Sequence, residues 1–327
     1  MANKTCFVVV WFGKLPEYFG FWEKSCGQNQ ACADFLLVTD QQYSSRYPNI
    51  RVQHTTMAAL RQKASEKLAL PVALDNPYKC TDFKTVYGVI FDEELKGYSY
   101  WGMCDLDQVF GDLGMLMNRP DFDSYDKIGR AGHLTLFRNC SEINNLYRKE
   151  GALFDYQTVF TTPEHYAFDE RTGICRIAQR HKVPYLNILD MRADLWVRIR
   201  RLETNTGKNY KKQVFYWENG HLFRAYEKKG QICKEEFLYL HFQKKKLRNL
   251  CGNVPDAFFI GREGFFEKTG AVLPEDFDKY NCDDGKIVKY WQIFCYYVKK
   301  MTDYFRVSKA QRRIWTAQRS ISYERFE

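Results

Sequence analysis

Residues 98–107 read YSYWGMCDLD, an aromatic, β-rich run ending on two carboxylates, Asp105 and Asp107, with only Leu106 between them. Such a run has the pattern of a strand buried in a sheet, and the acids mark where the chain leaves the core. Just before it, TDFKTVYGVIFDEELKG (81–97) predicts a helix, with Asp82 as its start signal, apolar positions at Phe83, Val86, Tyr87, Ile90 and Phe91, and Gly97 as its stop. Further back, TCFVVVWFG (5–13) and ADFLLVTD (33–40) are continuous apolar strands, and NIRVQHTT (49–56) is a shorter one. PEYFGFWEKSCGQN (16–29) has helix-compatible spacing, and MAALRQKASEKLAL (57–70) is a clear helix. Strands alternating with helices through the first 110 residues predict an α/β fold with a mostly parallel sheet. In such sheets ligands sit at the carboxyl ends of strands, where Gly13, Asp40, Asp105 and Asp107 all fall.

Beyond residue 110 the pattern mixes. HLTLFRN (133–139) and LYLHFQ (238–243) read as strands, and VFYWENGHLFRAYEKKG (214–230) as a hairpin around Asn219-Gly220. Near the C-terminus Ile287, Trp291, Phe294, Val298, Met301 and Phe305 recur at intervals of four and three, beside a Tyr290, Tyr297, Tyr304 row. This is an amphipathic helix, expected to dock on its own domain or on a copy of it. The basic SKAQRRIWTAQR (308–319) that follows makes a peripheral membrane contact through 285–327 the alternative.

Composition narrows the function classes. With 45% hydrophobic residues among 327, the chain can bury a large core, and it has no Ser/Pro/Gln-rich tract that would signal disorder. Its apolar stretches fall short of a membrane span, and its N-terminus lacks a small-residue cleavage site. Eleven cysteines without a C-x-x-C pair read as reduced thiols of a cytoplasmic protein. The net charge of +9 is concentrated late, with fourteen Lys/Arg against five Asp/Glu in 196–250 and eleven against six in 278–327. No nucleic-acid-binding signature accompanies it, so no nucleic-acid partner is expected. No P-loop, G-x-G-x-x-G, H-E-x-x-H or G-x-S-x-G occurs, which removes the commonest kinase, dehydrogenase, zinc-protease and serine-hydrolase readings.

Two carboxylates that converge after a strand, with a turn permitted by the QVFGDL loop and Gly111, call for a cation. Mg²⁺ or Mn²⁺ suits their oxygens and usually shares its shell with substrate phosphates. YLHFQKKKL (239–247) adds His241, able to complete a metal shell, and Lys244, Lys245 and Lys246, able to neutralise a leaving diphosphate. Taken alone, each of these motifs is also compatible with solvated loop acids, a core histidine and a solvated basic face.

Together FVVVWFGKLPEYFGFWEKSC, NPYKCTDFKTVYGVIFDEELKGYSYWGMCDLDQVFGDL, GHLTLFRN and YLHFQKKKL resemble bacterial GT-A-fold glycosyltransferases of polysaccharide (capsule and lipopolysaccharide) gene clusters. More distantly, the D-x-D with a late His-Lys arrangement is similar to glycogenin and the lipooligosaccharide galactosyltransferases. The resemblance covers residues 4–250 and implies a GT-A-like catalytic domain over 1–250, with 251–327 as a helical extension. It implies a nucleotide-sugar donor, with UDP as the nucleotide, and a glycan or lipid-linked glycan acceptor. Asp105, Asp107 and His241 would be the Mn²⁺ or Mg²⁺ ligands, with one or more of Lys244–Lys246 on the diphosphate. The glycogenin-like pattern has Gly-x-Lys-Pro-Trp after the histidine, whereas this chain has Gln243 and a lysine run. Phe12, Gly13 and Asp40 would approach the nucleoside, and Asp82 and Lys84 the donor sugar or phosphates. In EHYAFDERTGI (164–174), Asp169 and Glu170 are the acids expected to face the sugar or acceptor hydroxyl, with Asp155 and Asp190 as rivals. By the same analogy the sugar keeps its anomeric configuration. Two other functions fit parts of the sequence: a haloacid-dehalogenase-like phosphatase with Asp105 as nucleophile, and a non-catalytic nucleotide- or glycan-binding protein.

Overall fold

Side-chain alternation along a few parallel strands builds the centre of the molecule. The computed structural model describes residues 5–320. Strands β1 (Thr5–Trp11), β2 (Ala33–Thr39), β3 (Ile50–His54) and β4 (Tyr100–Cys104) lie parallel in the order β3-β2-β1-β4. Successive side chains of an extended chain point to opposite faces. Accordingly Cys6, Val8, Leu36, Val38, Trp101 and Met103 enter one core layer, and Phe7, Val9, Phe35, Leu37 and Tyr100 enter the other. Both faces are covered, which is why these strands read as unbroken apolar runs. Helix Met57–Leu68 closes the first face through Leu60, Ala64 and Leu68. Its N-cap is Thr56, whose hydroxyl accepts from the Ala59 N–H at 3.1 Å. Helix Phe19–Gly27 closes the second face through Phe19, Trp22 and Cys26.

After β4 the chain bends and enters β5 (Gln108–Phe110), which belongs to another sheet. Strands β6 (Lys127–Ala131), β7 (Leu134–Arg138) and β8 (Tyr185–Leu186) extend the first sheet, β7 running antiparallel to β4, so the seven-stranded sheet is mixed but mostly parallel. Strand β9 (Arg192–Asp194) lies in the same three-stranded sheet as β5. Strands β10 (Gln213–Glu218), β11 (His221–Lys228) and β12 (Gln231–Phe237) form the expected hairpin and a third strand. Asn219 and Gly220 both have positive φ, +52° and +86°, the requirement of a two-residue turn whose twist matches its strands. Strand β13 (Tyr239–His241) lies between β5 and β9. Strands β14 (Arg248–Asn249), β15 (Ala257–Ile260) and β16 (Gly264–Glu267) complete a six-stranded sheet in the order β12-β11-β10-β15-β16-β14. Phe21 of the first helix stacks on Phe265 at 4.1 Å and meets the edge-on ring of Phe258, tying this sheet to the large one.

The mixed α/β architecture with flanking helices and a C-terminal helix agrees with the expectation, and three details differ from it. The helix expected over 81–97 is a broken series: a 3-10 turn at Pro77–Lys79, then Cys80–Phe83, Lys84–Val86 and Tyr87–Ile90, ahead of turns up to Gly97. Asn76, not Asp82, caps it, accepting from the Lys79 N–H at 3.0 Å. Gly88 lies so close to Trp101 that a Cβ there would come within 2.4 Å of the indole nitrogen, so the segment hugs the sheet at the expense of regular coiling. The boundary expected at residue 250 falls inside a sheet, because β15 pairs with β10. The helical extension starts at Gly285, as helices Gly285–Arg306 and Lys309–Ser320; its residues 321–327 lie outside the described residues.

The third difference concerns helix Gly285–Arg306. Its apolar row does not dock on the domain: Ile287 is 86% exposed, Trp291 63% and Phe294 56%. Contact with the domain runs through other positions, with Lys289 paired to Glu203 at 2.7 Å and Gln292 accepting from the Arg200 N–H. All eleven cysteines are free, and among the described residues no helix is long and apolar enough to cross a membrane.

Candidate functional site

The bend between β4 and β5 brings the two carboxylates together. Leu106 is buried and anchors the bend in the core beneath them. The Asp105 N–H donates to the His133 carbonyl at 3.3 Å, and the Phe242 N–H donates to the Asp107 carbonyl at 3.0 Å, so the turn is pinned from both sides. Gly111 lies beyond the bend and serves close packing: a Cβ there would come within 2.4 Å of the Phe237 carbonyl.

Strand pairing delivers the histidine. In the three-stranded sheet His241 lies opposite Gln108 on β5 and Asp194 on β9. One ligand atom each from Asp105, Asp107 and His241 lie within 4.8 Å of one another. His241 Nδ1 is 2.8 Å from Asp194 Oδ1, which turns Nε2 toward Asp107 at 3.4 Å. Burial disfavours the imidazolium, but Asp107 and Asp194 outweigh it and raise the His241 pKa to about 10. Burial likewise opposes the charge of Asp194, yet the His241 hydrogen bond and His133 hold its carboxyl well below the usual range. Gln243 and Asn205 donate to the same carboxylate at 2.9 and 3.0 Å. His133 stacks on His241 at 4.0 Å, and burial, then its charged neighbour, push its pKa far down. Asp194, His133 and Asn205 carried no signal in the sequence, for β9 is three residues long and the pairing that aligns it is non-local.

A second carboxylate pair meets the first across Lys84. The buried Lys84 ammonium pairs with Asp105, donates to the Gly132 carbonyl at 3.0 Å and lies 3.6 Å from Asp169. Burial opposes its charge, but Asp105 and Asp169 more than compensate and its pKa is raised. Burial pushes the Asp169 and Glu170 pKa values up, with Lys84 opposing in both cases and the Gly132 N–H, 3.2 Å from Glu170, also opposing in the second. Gly132 must be glycine, since a Cβ would come within 2.2 Å of Asp169 Oδ2. Five carboxylates (Asp105, Asp107, Asp169, Glu170 and Asp194) thus gather around Lys84, Arg192 and His241. This acidic excess, with two carboxylates and an oriented imidazole converging, fits a divalent cation such as Mn²⁺ or Mg²⁺.

The remaining expected residues divide. Gly13, at φ +91°, donates its N–H to Asp40 at 2.9 Å, so these two meet at the carboxyl ends of β1 and β2, while Phe12 packs into the core. Asp82 does not face the site. It is fully buried, paired with Lys79 at 2.9 Å, and accepts from the Tyr166 and Phe168 N–H groups at 3.0 Å, which makes it the anchor of the loop leading to Asp169. Asp155 caps helix Tyr156–Thr161, and Asp190 is exposed on a 3-10 turn; neither reaches the cluster.

The lysine run separates in the same way. Lys245 turns away and donates to the Ile199 carbonyl, its pKa lowered to about 8 by burial. Lys244 is exposed, its ammonium 6.0 Å from the ring of Tyr78, which packs at a tilt against His165 at 4.6 Å. Lys246 is exposed, with no contact to the cluster among the described residues. Tyr18, missed in the sequence, feels Asp107 and Asp105; burial first, then these acids, push its hydroxyl pKa up.

No curated protein matches this chain. One family covers residues 7–269, and with them every residue of the carboxylate–histidine cluster: the chain belongs to the family of unknown function DUF6625.

Proposed function

We propose that this protein is a metal-dependent glycosyltransferase with a GT-A-like catalytic domain, moving a sugar from a nucleotide-sugar donor, UDP-linked, to a glycan or lipid-linked glycan of a bacterial surface polysaccharide. The observation that carries the reading is the convergence of Asp105, Asp107 and His241 within 4.8 Å at the end of a buried β-strand. These three would hold Mn²⁺ or Mg²⁺, which when bound neutralises charge on a departing diphosphate. The chain's own groups supply the rest. Asp194 fixes the ring of His241 and keeps Nε2 directed at Asp107. One or both of the exposed Lys244 and Lys246 supply the cation for the diphosphate, since Lys245 is committed to Ile199. Gly13 and Asp40 receive the nucleoside, and Lys84 holds Asp105 and Asp169 at a fixed separation. Glu170, less buried than Asp169, is the acid that reaches the sugar or the acceptor hydroxyl, and burial raises its pKa. Retention of the anomeric configuration belongs to the same reading.

The reading extends to location, at the inner face of the cell membrane. The support is the exposed apolar row of helix Gly285–Arg306, and residues 285–320 carry nine Lys/Arg against one acid, Asp303.

Thermal stability with UDP, GDP and CMP, each with and without Mn²⁺, tests the donor site. Stabilisation by UDP that needs the metal and vanishes in Asp107→Ala is the expected result. No shift with any nucleotide, or a metal-independent shift that survives the substitution, removes the transferase reading. A phosphorylated Asp105 would then support the phosphatase.

A further inference from the structure

Behind the carboxylates lies a cavity of opposite character. It has a volume of about 230 Å³ and is walled by β6, helix Ile174–Arg180 and the turn into β8. Three of its lining residues are cations (Lys127, Arg130 and Lys182), Gln179 and Tyr185 add polar groups, and among the described residues no carboxylate lines it. Lys127 is 1% exposed. Its ammonium donates to the Gly129 carbonyl at 2.5 Å, lies 3.8 Å from the Cys175 sulfur, and faces the rings of Tyr185 and Phe137. Burial raises the Cys175 pKa, so these partners are neutral, and burial lowers the Lys127 pKa. Glu170 acts on this ammonium from the neighbouring cluster without lining the cavity; a buried ammonium is costly, and an anion in the cavity would offset that cost. The Arg130 guanidinium adds a planar fork of the shape that phosphate and carboxylate oxygens match.

The cavity and the carboxylate cluster share their walls. Arg130 stands two residues before Gly132, whose N–H holds Glu170, and helix Ile174–Arg180 starts four residues after Glu170. At 230 Å³ the cavity is smaller than the roughly 300–1,000 Å³ typical of pockets for larger ligands, a fit for one small charged group. We propose that this cavity is an oxyanion subsite that takes a phosphate or carboxylate carried by a sugar. It thereby selects an acidic sugar as acceptor, and this last step rests on the transferase reading given above.

Isothermal titration calorimetry of the full chain with glucuronate, glucose 6-phosphate, inorganic phosphate and glucose tests it. The two acidic sugars are expected to bind, inorganic phosphate more weakly, and glucose not at all. Arg130→Gln and Lys182→Gln should each weaken the acidic sugars about tenfold or more, the loss of a charge-assisted hydrogen bond. Parent-like thermal melting of both variants serves as the control for folding, and a Lys127→Met variant that fails to fold leaves these two decisive. Glucose binding as well as glucuronate, or both variants binding the acids as tightly as the parent, overturns the subsite. Inorganic phosphate binding as tightly as glucose 6-phosphate overturns the assignment to a sugar. Acid binding that depends on Arg130 and Lys182 without any nucleotide binding keeps the subsite and removes the transferase. Metal-dependent nucleotide binding without acid binding does the reverse.

Discussion

His241 has two nitrogens, and the structure gives them different tasks. Nδ1 is held by Asp194 at 2.8 Å, so Nε2 is the atom left to face Asp107. A carboxylate behind a ligating imidazole fixes its orientation and raises its basicity. Asp194→Asn keeps the shape but loses the charge that pairs with the ring. The expected outcome is a loss of Mn²⁺ affinity of about 10–100-fold, measured calorimetrically in the presence of UDP. An unchanged affinity would mean that Asp194 merely fills space behind the ring. At this scale the sequence disclosed only part of the cluster. Asp105 and Asp107 were visible because a buried aromatic strand ends on them, and His241 because a lysine run follows it. Asp194 and His133 were not, since their place depends on β9 and β7 meeting strands distant in the chain. The lysine run could not be resolved either, because burial of Lys245 against Ile199 is a tertiary fact.

At the scale of elements, the loop 164–170 is held from two sides. From below, Asp82 accepts the N–H groups of Tyr166 and Phe168. From above, helix Lys309–Ser320 lays two carboxamides on it: Gln311 accepts from the His165 N–H at 2.9 Å and donates to its carbonyl at 2.7 Å, while Gln318 donates to the Tyr166 carbonyl at 2.5 Å. Asp169 and Glu170 follow directly, so the extension positions the acids without touching the cluster. The double variant Gln311→Ala/Gln318→Ala is therefore expected to lower kcat for donor turnover about tenfold or more, as displaced groups lose their alignment, with donor KM unchanged. Kinetics beside a melting curve checks this. Equal losses in KM and stability would reduce the contact to a structural one. The sequence marked 308–319 as basic and helical but gave no sign of this contact, because glutamines on a helix have many solvated alternatives. The broken helix at 77–90 was hidden for a related reason: its apolar spacing is helical, while the closeness of Gly88 to Trp101 belongs to the packing.

For the molecule as a whole, charge and apolar surface are distributed unevenly, and the two extremes coincide on the extension. The large sheet, its helices and the hairpin were legible because each buries an unbroken or alternating apolar pattern, but the sequence could not tell which way the last amphipathic helix faces. It faces outward, with Ile287, Trp291, Phe294, Met301 and Phe305 in one exposed row. Lys286, Lys299, Lys300 and Arg306 lie on the same helix and Lys309, Arg312, Arg313 and Arg319 on the next. Apolar insertion gives such a helix its depth in a bilayer, and each cation near an anionic surface adds about 1 kcal/mol, lost as salt screens it. The full chain is thus expected to co-sediment with phosphatidylglycerol-containing vesicles, to be released by raised salt, and to ignore pure phosphatidylcholine. Trp291→Glu/Phe294→Glu places two carboxylates where the row would enter the acyl boundary, so this variant should stay in solution with its metal-dependent UDP stabilisation intact. A second copy of the chain is the other occupant able to cover the row. If the parent is a dimer by light scattering, the variant a monomer, and neither binds vesicles, the row is a dimer interface and the membrane assignment falls.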